Sequence, residues 1–166
     1  YDELERLTRQ LEEKRAALII KYRNFVVDAV EKEEEKLVYR ISRDEKKYLM
    51  HILLDKNTVG IAFVRDLRDQ IDAEEVTGGI IVADGKYTYS ARSNATDMHI
   101  ELIPSSLPTF DIFEHSYVPL HEIVTEDERK SISEKYHAEP YQFPWIRATD
   151  PVSIILGARP GDVLKI

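Results

Sequence analysis

Leu37-Val38-Tyr39-Arg40-Ile41 and Tyr48-Leu49-Met50-His51-Ile52-Leu53-Leu54 stand on either side of the polar run Arg43-Asp44-Glu45-Lys46. β-Branched and aromatic residues around a short charged turn read as the two strands of a hairpin. Downstream, Val59-Gly60-Ile61 leads into a helix that places Phe63, Val64, Leu67 and Ile71 on one face, and Thr77-Gly78-Gly79 reads as its stop. Ile80-Ile81-Val82-Ala83 is a short apolar run of the kind carried by a strand buried on both faces. After a turn at Asp84-Gly85-Lys86, residues 90–98 read as a second helix with Ala91 and Ala95 available for packing. Ile100-Glu101-Leu102-Ile103 then closes the unit as a strand. Strand, strand, helix, strand, helix, strand is the signature of an α/β fold.

Working outward towards the N-terminus, Leu4, Leu7, Leu11, Leu18, Tyr22, Phe25 and Ala29 recur at steps of three, four or seven among Glu, Lys and Arg. This spacing predicts one long amphipathic helix over residues 2–36. Its apolar stripe either packs on its own domain or serves as a coiled-coil or partner-docking face. The run Glu31-Lys32-Glu33-Glu34-Glu35-Lys36 is expected to be a solvated helix end.

On the other side, Pro104-Ser105-Ser106-Leu107-Pro108 interrupts any ladder or helix and is expected to be a linker, residues 104–109. Beyond it, Val124-Thr125-Glu126-Asp127-Glu128 spells a capping box. The Thr125 hydroxyl can accept from the Glu128 backbone N–H while the Glu128 carboxylate reaches back, starting a helix towards Tyr136. Asp150-Pro151 is a second helix start, with Asp150 as cap and Pro151 at the first helical position. Gly157 ends that helix in the left-handed conformation. Pro160-Gly161 makes a tight turn, and residues 162–166 begin a strand. Phe143, Trp145 and Ile146, beside two prolines, suit either core packing or an exposed interface.

The overall fold class is therefore α/β: an N-terminal helix with an α/β domain over residues 1–103, the linker, and a small α+β module over residues 110–166. A chain of 166 residues accommodates two such units, since domains commonly run to ~100–150 residues. Hydrophobic residues at 43% and charged residues at 33% describe a globular chain. The net charge of −8 argues against wrapping nucleic acid with the whole surface, because phosphate binding needs clustered Lys and Arg. No apolar run approaches the ~20 residues of a spanning helix, and no membrane partner is expected. Cysteine is absent, which removes disulfides and thiolate metal ligands.

Val59-Gly60-Ile61, Gly79-Ile80-Ile81-Val82 and the closing Ile100-Glu101-Leu102-Ile103 resemble the Mrr-type restriction-endonuclease-like fold. Such nucleases carry an acidic residue on the first hairpin strand and Gln or Glu, any residue, then Lys on the next. Aligned through the turn, these positions fall on Val38, His51 and Leu53. Divalent-cation hydrolysis needs hard oxygen ligands and a cation beside the attacking water, which Val38 and Leu53 do not supply. Asp44, Glu45, Lys46 and Lys47 are the substitutes a divergent nuclease could use, but a hairpin turn aims them at solvent. His51 reads as a packed or rim histidine. No Gly-x-Ser-x-Gly elbow and no phosphate-cradling glycine loop occurs.

The module after the linker resembles the C-terminal domain shared by the fifth common subunit of eukaryotic nuclear RNA polymerases and its shorter counterpart in archaeal RNA polymerase. His115, Val118, Pro119 and His121 match the family's His-x-x-Val-Pro-x-His. Thr149, Asp150 and Pro151 match its Thr-Asp-Pro, and Leu156 to Val163 match its Leu-Gly-Ala-Lys/Arg-Pro-Gly-Asp-Val. Its closing strands are expected beyond Ile166. The resemblance implies a non-catalytic polymerase subunit that acts in assembly and in positioning downstream DNA. Its partners would be the largest polymerase subunit and its neighbours, met through His115, Val118, Pro119, His121, Asp150, Pro151, Gly157, Pro160 and Gly161. No cofactor, metal or small-molecule substrate is implied. The place of action would be the cytoplasm, at the nucleoid, in an archaeon, or the nucleus in a eukaryote. A divergent Mrr-like nuclease using Asp44 and Glu45, and a regulatory paralogue dimerising through the first helix, are the alternatives. His115 and His121 with Glu122 fall short of the four ligands a closed metal site usually needs; each is expected to hold its loop by a hydrogen bond.

Overall fold

Asn24 ends the first helix well before the heptad-like spacing does. In the computed structural model, which describes residues 2–166 and side chains from residue 11 onward, α1 spans Asp2–Tyr22. Asn24 sits at a φ of 56°. Its N–H donates to Lys21 O at 3.4 Å, and the Phe25 N–H reaches Ile20 O at 3.0 Å. These two bonds form a Schellman stop with asparagine in the place glycine usually takes. The expected helix over residues 2–36 is thus corrected: Val26–Lys32 is a strand, β1. Val26, Val27 and Val30 are β-branched and favour extended backbone, which outweighs the continuing spacing of Phe25 and Ala29. Of the predicted stripe, Leu18 is buried and Leu11 and Tyr22 are half-buried, whereas Ala29 is exposed on β1. The Leu4 and Leu7 side chains lie outside the described residues. The acidic run after Glu31 is a strand end and a bend, not a helix end.

The hairpin forms as predicted from β2 (Lys36–Arg43) and β3 (Lys46–Leu53). Asp44 and Glu45 take φ values of 52° and 65°, so a two-residue turn with both central residues left-handed joins the strands. After the two-residue β4 (Thr58–Val59), α2 runs over Ile61–Glu74 and buries Val64, Leu67 and Ile71. Glu75, at φ 54°, caps it. Gly78 and Gly79 do not stop the helix but open β5 (Gly78–Val82). A Cβ on Gly79 would stand 2.8 Å from Leu67 Cδ2 and 2.9 Å from Ile71 Cδ1, so glycine there lets α2 lie close on the sheet. β6 (Lys86–Tyr87), α3 (Tyr89–Asp97) and β7 (Ile100–Ile103) complete the unit.

The main sheet has the order β1-β2-β3-β5-β7, antiparallel through the first three strands and parallel from β3 to β7. Leu49 and Leu53 join Val38, Ile81 and Ala83 in one apolar cluster with the buried face of α2 and with Ala91 and Ala95 of α3. Met50 and Ile52, alternating with them, face the opposite side, on which α1 packs against β3 and β5 through residues such as Ala16 and Ile19. Arg23 clasps Glu101 with two bonds of 2.6 and 2.7 Å, tying the end of α1 to β7. β4 and β6 pair in parallel as a separate small ribbon.

The chain divides into two compact units, with Phe110 ending the first and Asp111 beginning the second. The stretch expected as a linker is held to the first unit: Leu107 is buried, and its carbonyl accepts from Arg15 Nε at 2.7 Å. The second unit contains β8 (Glu122–Ile123), α4 (Glu126–Tyr136), α5 (Pro151–Leu156) and β9 (Leu164–Lys165), with short 3-10 turns at Ile112–Glu114 and Pro140–Gln142. β8 and β9 pair antiparallel, Ile123 opposite Leu164. The strand predicted from residue 162 is thus confined to two residues. Among the described residues, no helix is long and apolar enough to cross a membrane.

Candidate functional site

Val38 and His51 face each other directly across β2 and β3, and both are buried, as is Leu53. The positions at which such a hairpin would carry an acid and a lysine therefore hold packed side chains. His51 donates Nε2–H to Gln70 Oε1 at 2.7 Å, while its Nδ1 lies 4.0 Å from Asp66 Oδ2. Burial holds the imidazole below its ordinary pKa, which favours the neutral ring. Asp66 is engaged by Lys36 Nζ at 2.6 Å. Gln70 passes a hydrogen bond to Glu74, and Glu74 takes the Arg40 guanidinium through two bonds of 3.0 and 2.8 Å. That pairing holds the Glu74 carboxyl below its usual range. These polar groups satisfy one another along α2 and the hairpin.

Asp44 and Glu45, the candidate relocated carboxylates, are exposed at the turn, and Lys46 and Lys47 beside them are exposed as well. Two left-handed residues in succession turn these side chains away from the sheet. Among the described residues, no group of three His, Asp or Glu side chains is placed to hold a metal ion.

In the second unit the predicted residues build loops. His115 Nδ1 accepts from the Tyr117 N–H at 3.2 Å, and the Val118 N–H donates to His115 O at 3.0 Å. His121 is buried and donates Nδ1–H to Pro119 O at 2.7 Å. The two histidines thus brace a single loop from opposite ends, and the loop holds Tyr117 and Leu120 in solvent. Asp150 caps α5 through Val152 N at 2.9 Å, with Pro151 at the first helical position. Gly157 ends that helix at φ 73°. Gly161, at φ 98°, follows Pro160 in a turn closed by Arg159 N–H to Asp162 Oδ2 at 2.7 Å. His115, Val118, Pro119 and His121 are brought together, whereas Asp150, Pro151 and Gly157 serve α5 and Pro160 and Gly161 serve the turn after it.

The capping box at the start of α4 is complete. Thr125 N–H reaches Glu128 Oε2 at 2.8 Å, and Thr125 Oγ1 accepts from Glu128 N–H at 3.3 Å. The Thr125 backbone N–H holds the Glu128 carboxyl below its ordinary pKa. Thr125→Ala removes this cap and is expected to lower the stability of the module by about 1 kcal/mol, read from denaturant unfolding followed by far-UV circular dichroism. An unchanged midpoint would show that α4 is fixed by other contacts.

The apolar surface of this unit was not decidable from sequence. Among its described residues His121, Val152, Ser153 and Ile155 are the buried ones. Tyr117 is 89% exposed and Trp145 86% exposed, and Leu120, Tyr136 and Tyr141 are also exposed. Core packing of Trp145 is therefore excluded, Ile146 is exposed, and Phe143 is half-buried. The Trp145 indole N–H donates to Tyr141 O at 3.2 Å, which fixes the ring while leaving its faces bare.

The fold is a mixed α/β unit of endonuclease-like layout with apolar residues at its hairpin site, followed by a small module that exposes its aromatics. The family model for RNA polymerase Rpb5, C-terminal domain, matches residues 110–166, and a restriction endonuclease model matches residues 4–106. DNA-directed RNA polymerase subunit Rpo5 of Pyrococcus horikoshii is 51% identical over 57 residues, 34% of this chain and 70% of that protein. Its counterpart in Sulfolobus acidocaldarius is 45% identical over 62 residues, 37% of this chain and 74% of that protein. A crystal structure titled as a protein of unknown function, AF1548, superposes with a TM-score of 0.44 at 14% identity, covering 60% of each chain. The chain belongs to the RNA polymerase subunit Rpo5 family through its C-terminal part and to the restriction endonuclease family through residues 4–106.

Proposed function

We propose that this chain is a non-catalytic subunit of a DNA-dependent RNA polymerase. In this reading its second unit seats on the largest polymerase subunit, and its first unit works beside downstream DNA as a positioning scaffold. The observation that carries the reading is the combination of a very small core with exposed Tyr117, Leu120, Tyr141 and Trp145. Large apolar side chains left exposed on so small a unit mark a surface made to be covered. The relatives that share this unit are named as polymerase subunits, which supports polymerase subunits as the covering partners. In an archaeal cell the complex would work at the nucleoid.

The residues that carry the family resemblance act through the loops they build. His115 and His121 hold Tyr117 and Leu120 outward, and the turn of Pro160 and Gly161 leads into β9 opposite β8. A tagged chain should capture the largest polymerase subunit. Leu120→Asp, at an exposed position, should weaken that capture at least tenfold without moving the melting temperature. Capture at the original level would remove the support for this seating.

For the first unit, Val38 and Leu53 offer no ligand to a divalent ion, and Asp44 and Glu45 stand in solvent. Incubation with duplex or branched DNA and Mg²⁺ or Mn²⁺ is expected to leave the DNA intact. Cleavage that disappears in an Asp44→Asn, Glu45→Gln variant would overturn the non-catalytic assignment. With a net charge of −8, contact with DNA would be local, so removing the first unit should alter the positioning of downstream DNA in the assembled polymerase more than overall affinity.

A further inference from the structure

Glu12 of α1 is 0% exposed, and among the described residues neither of its carboxylate oxygens has a hydrogen-bond partner. It lies at the end of the sheet where β3 and β5 give way to loops carrying Asp55 and Asp84. Among the described residues, the titratable and charged groups that face it are Arg15 on its own helix, Asp55 after β3, Asp84 after β5 and Tyr87 on β6. Two of these are further carboxylates, which disfavour a third negative charge. Arg15 is engaged elsewhere: Nη1 bonds Asp84 Oδ1 at 2.6 Å and Nε bonds Leu107 O at 2.7 Å. The Tyr87 hydroxyl lies 2.7 Å from Ile103 O and 3.1 Å from Ile81 O, so its proton points at carbonyls. The Asp84 backbone N–H is the one group on the sheet side that favours the anion, and it stays outside hydrogen-bond geometry.

A carboxylate enclosed in this way is tolerated while it carries a proton. Once ionised it is a buried charge without a partner, and the nearest relief is exposure to water. Exposing it means lifting α1 from the ends of β3 and β5, which also loads the Arg15 contacts to Asp84 and Leu107. We propose that Glu12 is a protonation-controlled latch: protonated, it lets α1 and the 104–107 strap lie closed on the sheet, and ionised, it drives their local opening.

The direction of the pH effect follows from where the proton binds. Burial, the largest cause, pushes the Glu12 carboxyl from 4.5 up to about 7, with Asp55 and Asp84 adding to the rise. The closed state therefore holds a proton that the open state releases. Closure is fully favoured below about 4.5 and weakens as pH rises through about 7.

Hydrogen exchange on the full chain, read by mass spectrometry and corrected for the intrinsic pH dependence, tests the latch. Between about pH 5.5 and about pH 8.5, opening of α1 and of the 104–107 strap should increase roughly 30-fold, while the β2–β3 hairpin stays unchanged. Glu12→Gln should make α1 protection the same at both pH values. A wild-type α1 indifferent to pH, or a Glu12→Gln chain that keeps the dependence, would overturn the proposal. Should Glu12→Gln fail to fold, carbon-13 titration of the wild-type glutamate carboxyls decides it. A Glu12 midpoint near 7 supports the latch, and one near the ordinary 4.5 removes it.

Discussion

Gly85→Ala is expected to destabilise the first unit by about 3 kcal/mol or more, lowering its melting temperature by roughly 10–20 °C. A Cβ at Gly85 would stand 2.1 Å from Lys56 O, 2.7 Å from Asn57 C and 2.9 Å from Asn57 O. All three are backbone atoms, so no side chain can swing away to make room. Asn57 O is also the acceptor for the Lys86 N–H at 3.0 Å, and Thr88 N–H donates to Val59 O at 3.0 Å beyond it. Moving the Lys56-Asn57 segment aside breaks the ribbon in which Thr58 pairs with Lys86 and Val59 with Tyr87. Two other glycines give the scale. Gly79→Ala meets the methyl ends of Leu67 and Ile71, which can shift rotamer, so an intermediate loss is expected. Gly60→Ala meets nothing within 4 Å and should change stability by less than about 0.5 kcal/mol. Denaturant unfolding of the three variants checks the order. Gly85→Ala unfolding together with Gly60→Ala would show that the close approach does not constrain the fold.

Much of the first unit was legible because its elements announce themselves locally. The hairpin has two runs rich in apolar, β-branched and aromatic residues around a turn that takes left-handed backbone. The last strand, Ile100–Ile103, is bounded by residues that stop it on both sides. The failures came where one local signal imitated another. Phe25 and Ala29 continue a helical spacing, yet Asn24 reverses the backbone before them, and the signal for a strand lay in Val26-Val27 and Val30. Gly78-Gly79 looked like a helix stop because glycine serves both for left-handed caps and for close packing. The structure uses them for packing, on a strand. His51 was recognisable as a strand histidine, but its bond to Gln70 joins positions on different elements that no local pattern connects. Glu12 was invisible for a different reason. It stands beside Glu13 and Lys14, and only the packing of α1 on the sheet separates the enclosed carboxylate from these solvated neighbours. In the second unit, capping residues disclosed the helices. The exposure of Trp145 depends on how little surface the unit can bury, a property of the whole module.

Trp145→Ala is expected to reduce affinity for the polymerase assembly by about 2 kcal/mol, roughly 30-fold, while leaving the melting temperature of the free chain unchanged. The two halves of this expectation rest on the same geometry. An indole that is 86% exposed makes few contacts in the free protein, so truncating it leaves almost no cavity. Its Nε1–H, bonded to Tyr141 O, fixes the ring before any partner arrives, so less conformational freedom is lost on docking. A buried aromatic of this size removes ~150–250 Å² from water, enough to make it an anchor. Trp145→Phe keeps much of that area but loses the bond to Tyr141, so it should fall between wild type and alanine. Binding measured with polymerase purified without this subunit, beside thermal unfolding of each free variant, separates the two effects. Full affinity in Trp145→Ala would move the anchor to the loop held by His115 and His121. A lowered melting temperature would mean that the indole is covered in the free chain, contrary to its exposure.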